Sequence, residues 1–129
     1  MADAEPVVLH ASAVLAFARN EPGADRVQQT LGTAVISAVN VAECLAVLSR
    51  FTTTHAAARA LSRLGLTVIS CDWETAVAAA ELHAAVRERG LTLADCVCLA
   101  TARRLGRRAL TAERAWAGLE VSVPVEVLQ

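Results

Sequence analysis

The chain has 129 residues, a hydrophobic fraction of 55% and a formal net charge of −1. That length suits one domain over residues 1–129, and that hydrophobic fraction supplies a core and excludes disorder as the default state. No apolar run reaches the roughly 18 residues of a membrane span, and the charge excludes a bulk attraction to nucleic acid, so binding of that kind must come from a local patch.

Residues 7–9 form a short apolar run, predicted as a first buried strand. Acidic Asp3 and Glu5 precede it with no basic residue, unlike a signal peptide, and the cytoplasm is the expected location. Ser12 is placed as the cap of a helix over 13–19. Pro22 suits the first turn of a second short helix that Gly32 ends. Residues 34–36 read as a strand. Residues 39–50 then read as a helix with Val41, Leu45 and Leu48 on one face and Asn40, Glu43 and Val47 on another. A helix over 55–64 is stopped by Gly65. A strand follows over 66–69, and Asp72 caps a long helix that ends at Gly90. Thr92 caps a helix over 93–105. Residues 108–111 are a strand, 113–118 a short helix and 123–127 a last strand, with Pro124 marking an edge. Strands alternate with helices and are continuous apolar runs, which predicts an α/β fold with a parallel sheet covered by helices on both faces.

Against this apolar background a few polar side chains stand alone. Glu43 is the only charged residue between Arg26 and Arg50, and Asp95 the only one between Arg89 and Arg103. An isolated carboxylate in apolar sequence costs free energy unless something compensates for it, and a divalent cation shared by both is the simplest compensator. His10 directly follows the first strand, and Glu113 follows the strand ending at Thr111. In an open parallel sheet ligands bind beyond the carboxyl ends of the strands, so the connectivity can bring all four to one edge. Each also has a plainer explanation. Asp95 can complete a capping box with Thr92. Glu113 can favour a helix N-terminus with Thr111 as cap. Glu43 can pair with a distant arginine, and His10 can be a satisfied histidine at a strand end.

Carboxylate clusters hold hard cations such as Mg²⁺, which activate water and clamp a phosphate. The chain has no phosphate-binding glycine loop and no G-x-S-x-G, so nucleotide-binding and serine-hydrolase chemistry have no support. The four cysteines, at 44, 71, 96 and 98, have no C-x-x-C spacing. They read as small buried thiols rather than a zinc site. All basic residues are arginine. Arg103, Arg104, Arg107 and Arg108 cluster around a helix end and, with Arg114, are candidates for phosphate contact. A solvated helix C-terminus explains that cluster equally well. Trp116 suits a core or interface role better than stacking on a base.

Val8-Leu9-His10-Ala11-Ser12-Ala13 and Ile36-Ser37-Ala38-Val39-Asn40-Val41-Ala42-Glu43 resemble the start of a PIN-domain protein. Gly90-Leu91-Thr92-Leu93-Ala94-Asp95-Cys96 and Leu110-Thr111-Ala112-Glu113-Arg114-Ala115-Trp116 continue the pattern in the same order. The subfamily most similar to it is VapC, the toxin of VapBC toxin–antitoxin pairs, and the likeness covers essentially the whole chain. The resemblance implies a PIN-like fold and an endoribonuclease dependent on Mg²⁺ or Mn²⁺. It implies a homodimer and a small VapB-type antitoxin that occupies the groove. Glu43, Asp95 and Glu113 are then the catalytic carboxylates. With His10 they form the metal-facing set, and Ser12, Asn40 and Thr111 are supporting polar residues.

Two positions depart from the pattern. The family usually has Asp where this chain has His10 and where it has Glu113. Glu113 keeps the charge, whereas His10 replaces a carboxylate oxygen with a softer nitrogen. An altered metal preference, an attenuated enzyme and a substitution that silences a toxic protein all remain open. The alternative function is a PIN-fold binding module that has lost catalysis.

Overall fold

A computed structural model describes residues 6–129; Asp3 and Glu5 lie outside the described residues. The sheet is built from β1 (Val8–Leu9), β2 (Val35–Ser37), β3 (Thr67–Ile69), β4 (Ala109–Thr111) and β5 (Val125–Val127). All four pairings are parallel, in the order β3-β2-β1-β4-β5. Val8 is in register with Val35 on one side and Ala109 on the other. The chain leaves β1 for a neighbour on one side and later returns to its other side. A crevice therefore opens at the carboxyl end of β1, the switch point of the topology.

Six helices cover the sheet: α1 (Ala11–Ala18), α2 (Ala24–Thr30), α3 (Ala38–Leu48), α4 (Thr54–Ser62), α5 (Trp73–Val86) and α6 (Leu93–Leu105). Strand alternation sends neighbouring residues to opposite faces. Val8 and Ala109 join a core with α5, α6 and Trp116, while Leu9, Ile36 and Leu110 join a second core with α1, α3 and Leu61 of α4. The expectation of an α/β sheet flanked by helices on both faces therefore holds. Its edge strand β3 is less covered than the centre, with Thr67 and Val68 exposed. An apolar run alone does not reveal whether a strand is central or marginal.

Asp72 caps α5 as expected, accepting a hydrogen bond from Thr75 N. Ser37 accepts from Val39 N and Thr53 from Ala56 N, two caps not named from the sequence. Thr92 and Asp95 form the reciprocal capping box at the start of α6. Two starts differ from expectation. α1 begins at Ala11, so Ser12 lies inside the helix and His10 is the residue before it. The side chain of Ser12 turns to tertiary partners instead of a cap. α2 begins after Gly23, whose positive φ of 95° makes the turn, and Pro22 precedes the helix instead of opening it. Near the C-terminus the short helix over 113–118 is a single 3-10 turn, Arg114–Trp116.

Candidate active site

His10, Glu43, Asp95 and Glu113 line one pocket of about 340 Å³. Each reaches it for a different reason. His10 ends β1, Glu43 lies one turn into the helix after β2, Asp95 is in the first turn of α6, and Glu113 follows β4. Leu15, Val47 and Leu91 supply apolar wall between them.

One side of the pocket is a closed hydrogen-bond network. His10 is buried, with Nε2 2.8 Å from Asp95 Oδ1 and Nδ1 2.7 Å from Ser12 Oγ and 3.1 Å from Thr111 Oγ1. In the neutral ring, Nε2–H donates to the carboxylate and Nδ1 accepts a hydroxyl proton. Ser12 Oγ also accepts from Ala112 N at 2.8 Å, and Thr111 Oγ1 from Glu113 N at 3.0 Å. These bonds join the start of α1 to the exit of β4. The second oxygen of Asp95 accepts the Thr92 amide at 2.9 Å. Burial alone would raise the Asp95 carboxyl, but the bonds from His10 and Thr92 outweigh it and hold the group below its ordinary value. Trp116, itself buried, packs on the imidazole with ring centroids 4.4 Å apart.

Glu43 is placed differently. Its Oε1 is buried and has no hydrogen-bond partner. Burial pushes its carboxyl above the ordinary value, and the Asp95 charge adds to that rise against the opposing His10. One turn earlier Asn40 is fully buried: Oδ1 accepts Ala11 N at 2.9 Å and Nδ2 donates to Ala94 O at 3.4 Å. It ties α3 to α1 and α6, and so fixes the position of the helix that carries Glu43.

The chemistry of these donors fits a hard divalent cation, since three carboxylates share a pocket and one oxygen is orphaned. They are not gathered into a ready cage. Among the described residues, no three His, Cys, Asp or Glu side chains are grouped so as to hold one ion. His10 does not serve as a ligand in this arrangement, because both ring nitrogens already have partners. Glu43 and Glu113 are the carboxylates that none of these hydrogen bonds engages.

None of the candidate phosphate-binding arginines, Arg103, Arg104, Arg107, Arg108 and Arg114, is among the described residues lining the pocket. Arg104 is engaged in ion pairs with Asp72 and Glu74. The cysteines are free thiols, with 44, 96 and 98 buried. Burial and the Glu43 charge push the Cys44 thiol up to about 12, so it stays protonated and is no nucleophile. Arg89 went unnoticed in the sequence, although it donates to the carbonyls of Ala115 and Ala117 beside the pocket. Only the Gly90 that follows it, at a positive φ of 85°, hinted at a special turn there.

An α/β domain with an acidic crevice at the switch point of a parallel sheet defines the class. The PIN domain model matches residues 7–120, and the chain belongs to the PIN domain family. No curated protein sequence matches it. Among solved structures it is similar to a Mycobacterium tuberculosis VapC20, described as a Sarcin-Ricin loop cleaving toxin. The TM-score is 0.72 at 19% identity, covering 92% of this chain and 99% of that one. It is also similar to a chain of DNA-bound VapBC from Salmonella typhimurium, with TM-score 0.73, 13% identity, and 95% and 97% coverage. A third neighbour is FitAcB from Neisseria gonorrhoeae, with TM-score 0.71, 16% identity, and 92% and 95% coverage. At these identities the likeness is one of fold.

Proposed function

We propose that this chain is a toxin-type PIN endoribonuclease that hydrolyses RNA phosphodiester bonds with a divalent cation, Mg²⁺ or Mn²⁺, and is held inactive by a VapB-type antitoxin. The observation that carries the reading is the convergence of Glu43, Asp95 and Glu113 on one pocket, with a buried Glu43 oxygen left unpartnered. PIN-domain nucleases in general use divalent metals. Glu43, Glu113 and the remaining lone pairs of Asp95 would hold the ion, with His10 beside them. A bound cation supplies an activated water and neutralises charge on the phosphate. The protein's own part is to exclude bulk water with Leu15, Val47 and Leu91 and to hold Asp95 ionised through Thr92 and His10. Ser12, Thr111 and Asn40 keep the strand ends and helices in register around the pocket. Arg103, Arg107, Arg108 and Arg114 are proposed to meet RNA phosphates outside the pocket.

A homodimer and an antitoxin both have surface to cover, since Phe51, Val68 and Trp73 are exposed by 75%, 54% and 80%. Sizing and co-purification test this: a monomer with no bound small protein would count against both partners. Among the described residues no helix is long and apolar enough to cross a membrane, in keeping with the proposed cytoplasmic location.

A second reading, a PIN-fold binding module without catalysis, is favoured by one observation: His10 occupies Asp95 Oδ1 and so takes one of the six oxygens of the acidic set. RNA cleavage by this chain and by His10→Asp, in Mg²⁺, Mn²⁺ and EDTA, separates the two. Metal-dependent cleavage by the chain as it stands supports the nuclease. Cleavage by His10→Asp alone supports the lapsed enzyme. No cleavage by either removes the carboxylate pocket as the seat of chemistry.

A further inference from the structure

We propose that Arg89 is a positioning residue that clamps the two walls of the pocket together and holds Trp116 against His10. α5 runs out into a 3-10 turn, Arg87–Arg89, and Gly90 then reverses the chain toward Thr92 and α6. Gly90, Leu91 and Thr92 form one wall of the pocket, and Glu113, Ala115 and Trp116 form another. No strand pairing joins these two walls. The second is a single 3-10 turn, a weak element. Its Trp116 O accepts Leu119 N at 3.2 Å, and Arg89 engages the carbonyls on either side: one guanidinium nitrogen donates to Ala115 O at 3.0 Å and to Ala117 O at 3.3 Å. A cation at the carbonyl end of a turn is also favoured electrostatically.

The consequence reaches the site through Trp116. Its ring is 1% exposed and lies 4.4 Å from the His10 ring, which in turn holds Asp95. The same turn opens with Glu113. Releasing Ala115 and Ala117 therefore loosens Trp116 from His10 and moves a pocket carboxylate together with it. Both bonds leave one terminal nitrogen of the guanidinium, and a lysine ammonium keeps the charge but ends a shorter, more flexible side chain.

The test follows Trp116 directly. The second tryptophan, Trp73, is 80% exposed and is replaced by phenylalanine in every form so that Trp116 is the only indole. In that background Arg89→Ala shifts the Trp116 emission to the red and raises acrylamide quenching severalfold, with far-UV circular dichroism unchanged. Arg89→Lys falls between the two and serves as the test if the alanine form does not fold. Unchanged emission and quenching in both variants overturns the proposal. The role of the clamp in catalysis rests on the nuclease reading. There, Arg89→Ala lowers kcat with little change in KM. A moved Trp116 signal with no RNA cleavage by any form leaves the clamp standing and removes the nuclease.

Discussion

Asp95 and Glu43 face the same pocket in opposite electrostatic conditions. Asp95 has an imidazole on one oxygen and a backbone amide on the other, and its carboxyl lies below its ordinary value. Glu43 has one buried oxygen with no partner, and burial holds its carboxyl above its ordinary value. The first carboxylate is part of the scaffold, since removing it unpairs His10 Nε2 and takes away the side-chain half of the α6 capping box that holds Thr92 N. The second contributes nothing evident to stability in its ionised form. A group kept at a cost to the fold points to a role outside the fold, and under the proposed nuclease reading its partner is an external cation.

The sharpest way to break this comparison is Glu43→Gln. RNA cleavage is expected to fall by roughly 100-fold or more, as when a metal site loses a partner, while the melting temperature at pH 7 stays level or rises. A melting temperature that drops would place Glu43 in the scaffold beside Asp95. The pH dependence carries the same contrast. The Glu43 carboxyl is raised, so its unfavourable contribution appears as pH rises from the ordinary value of 4.5 through its folded value. The stability gap between Glu43→Gln and the parent should therefore be widest near neutrality and close below pH 4.5.

Asp95→Ala comes next. It removes the reciprocal half of the α6 capping box and leaves a buried imidazole donor unpaired, for a loss of about 2–3 kcal/mol in denaturant unfolding. The sign with pH is opposite to that of Glu43. A lowered carboxyl contributes stability above the ordinary value of 3.8, lost as pH falls through its folded value, so parent and variant converge under strongly acidic conditions. A constant gap across that window would mean that the cap and His10 bonds do not depend on the charge.

His10→Asp is expected to have a smaller effect on activity, raising cleavage in Mg²⁺ by roughly tenfold, the scale of a change in metal affinity. It sets two carboxylates side by side where one imidazole–carboxylate pair stood, so the variant should melt lower in EDTA and recover with Mg²⁺ or Mn²⁺. The parent chain should show the same cation shift, but smaller. If metal raises neither melting curve, the cation reading of the pocket is wrong. Smallest of all is Arg104→Ala. Its partners Asp72 and Glu74 are exposed, so RNA cleavage should keep its KM and the melting curve should barely move. A rise in KM would place Arg104 on the RNA-binding surface.

Much of this architecture was legible along the chain. Caps at Asp72 and Thr92, glycine stops and apolar runs depend on neighbours a few residues apart, and the parallel sheet followed from them. The isolation of Glu43 and Asp95 in apolar sequence was also legible, because α3 and α6 pack against the sheet. Ser12 misled for a definite reason: a serine just after a strand satisfies the local rule for a cap, yet its oxygen takes Ala112 N, 100 residues away. Asp95 showed the reverse. Its capping box and its place in the pocket looked like rival explanations, and the two oxygens of one carboxylate serve both.

The sequence by itself determined the alternation of elements, the apolar strands, most helix starts and the residues that can carry acidic chemistry. These rest on backbone geometry and on the cost of isolating charge in apolar sequence, both local. Only the tertiary structure decided which partners those residues take. It paired His10 with Asp95 across 85 positions, left Glu43 Oε1 without a hydrogen-bond partner, turned Arg104 to Asp72 and brought Arg89 to a turn 26 residues on. Hydrogen bonds are directional and short, so a side chain's partner is set by where the packed helices and strand ends bring it, and no spacing along the chain encodes that distance.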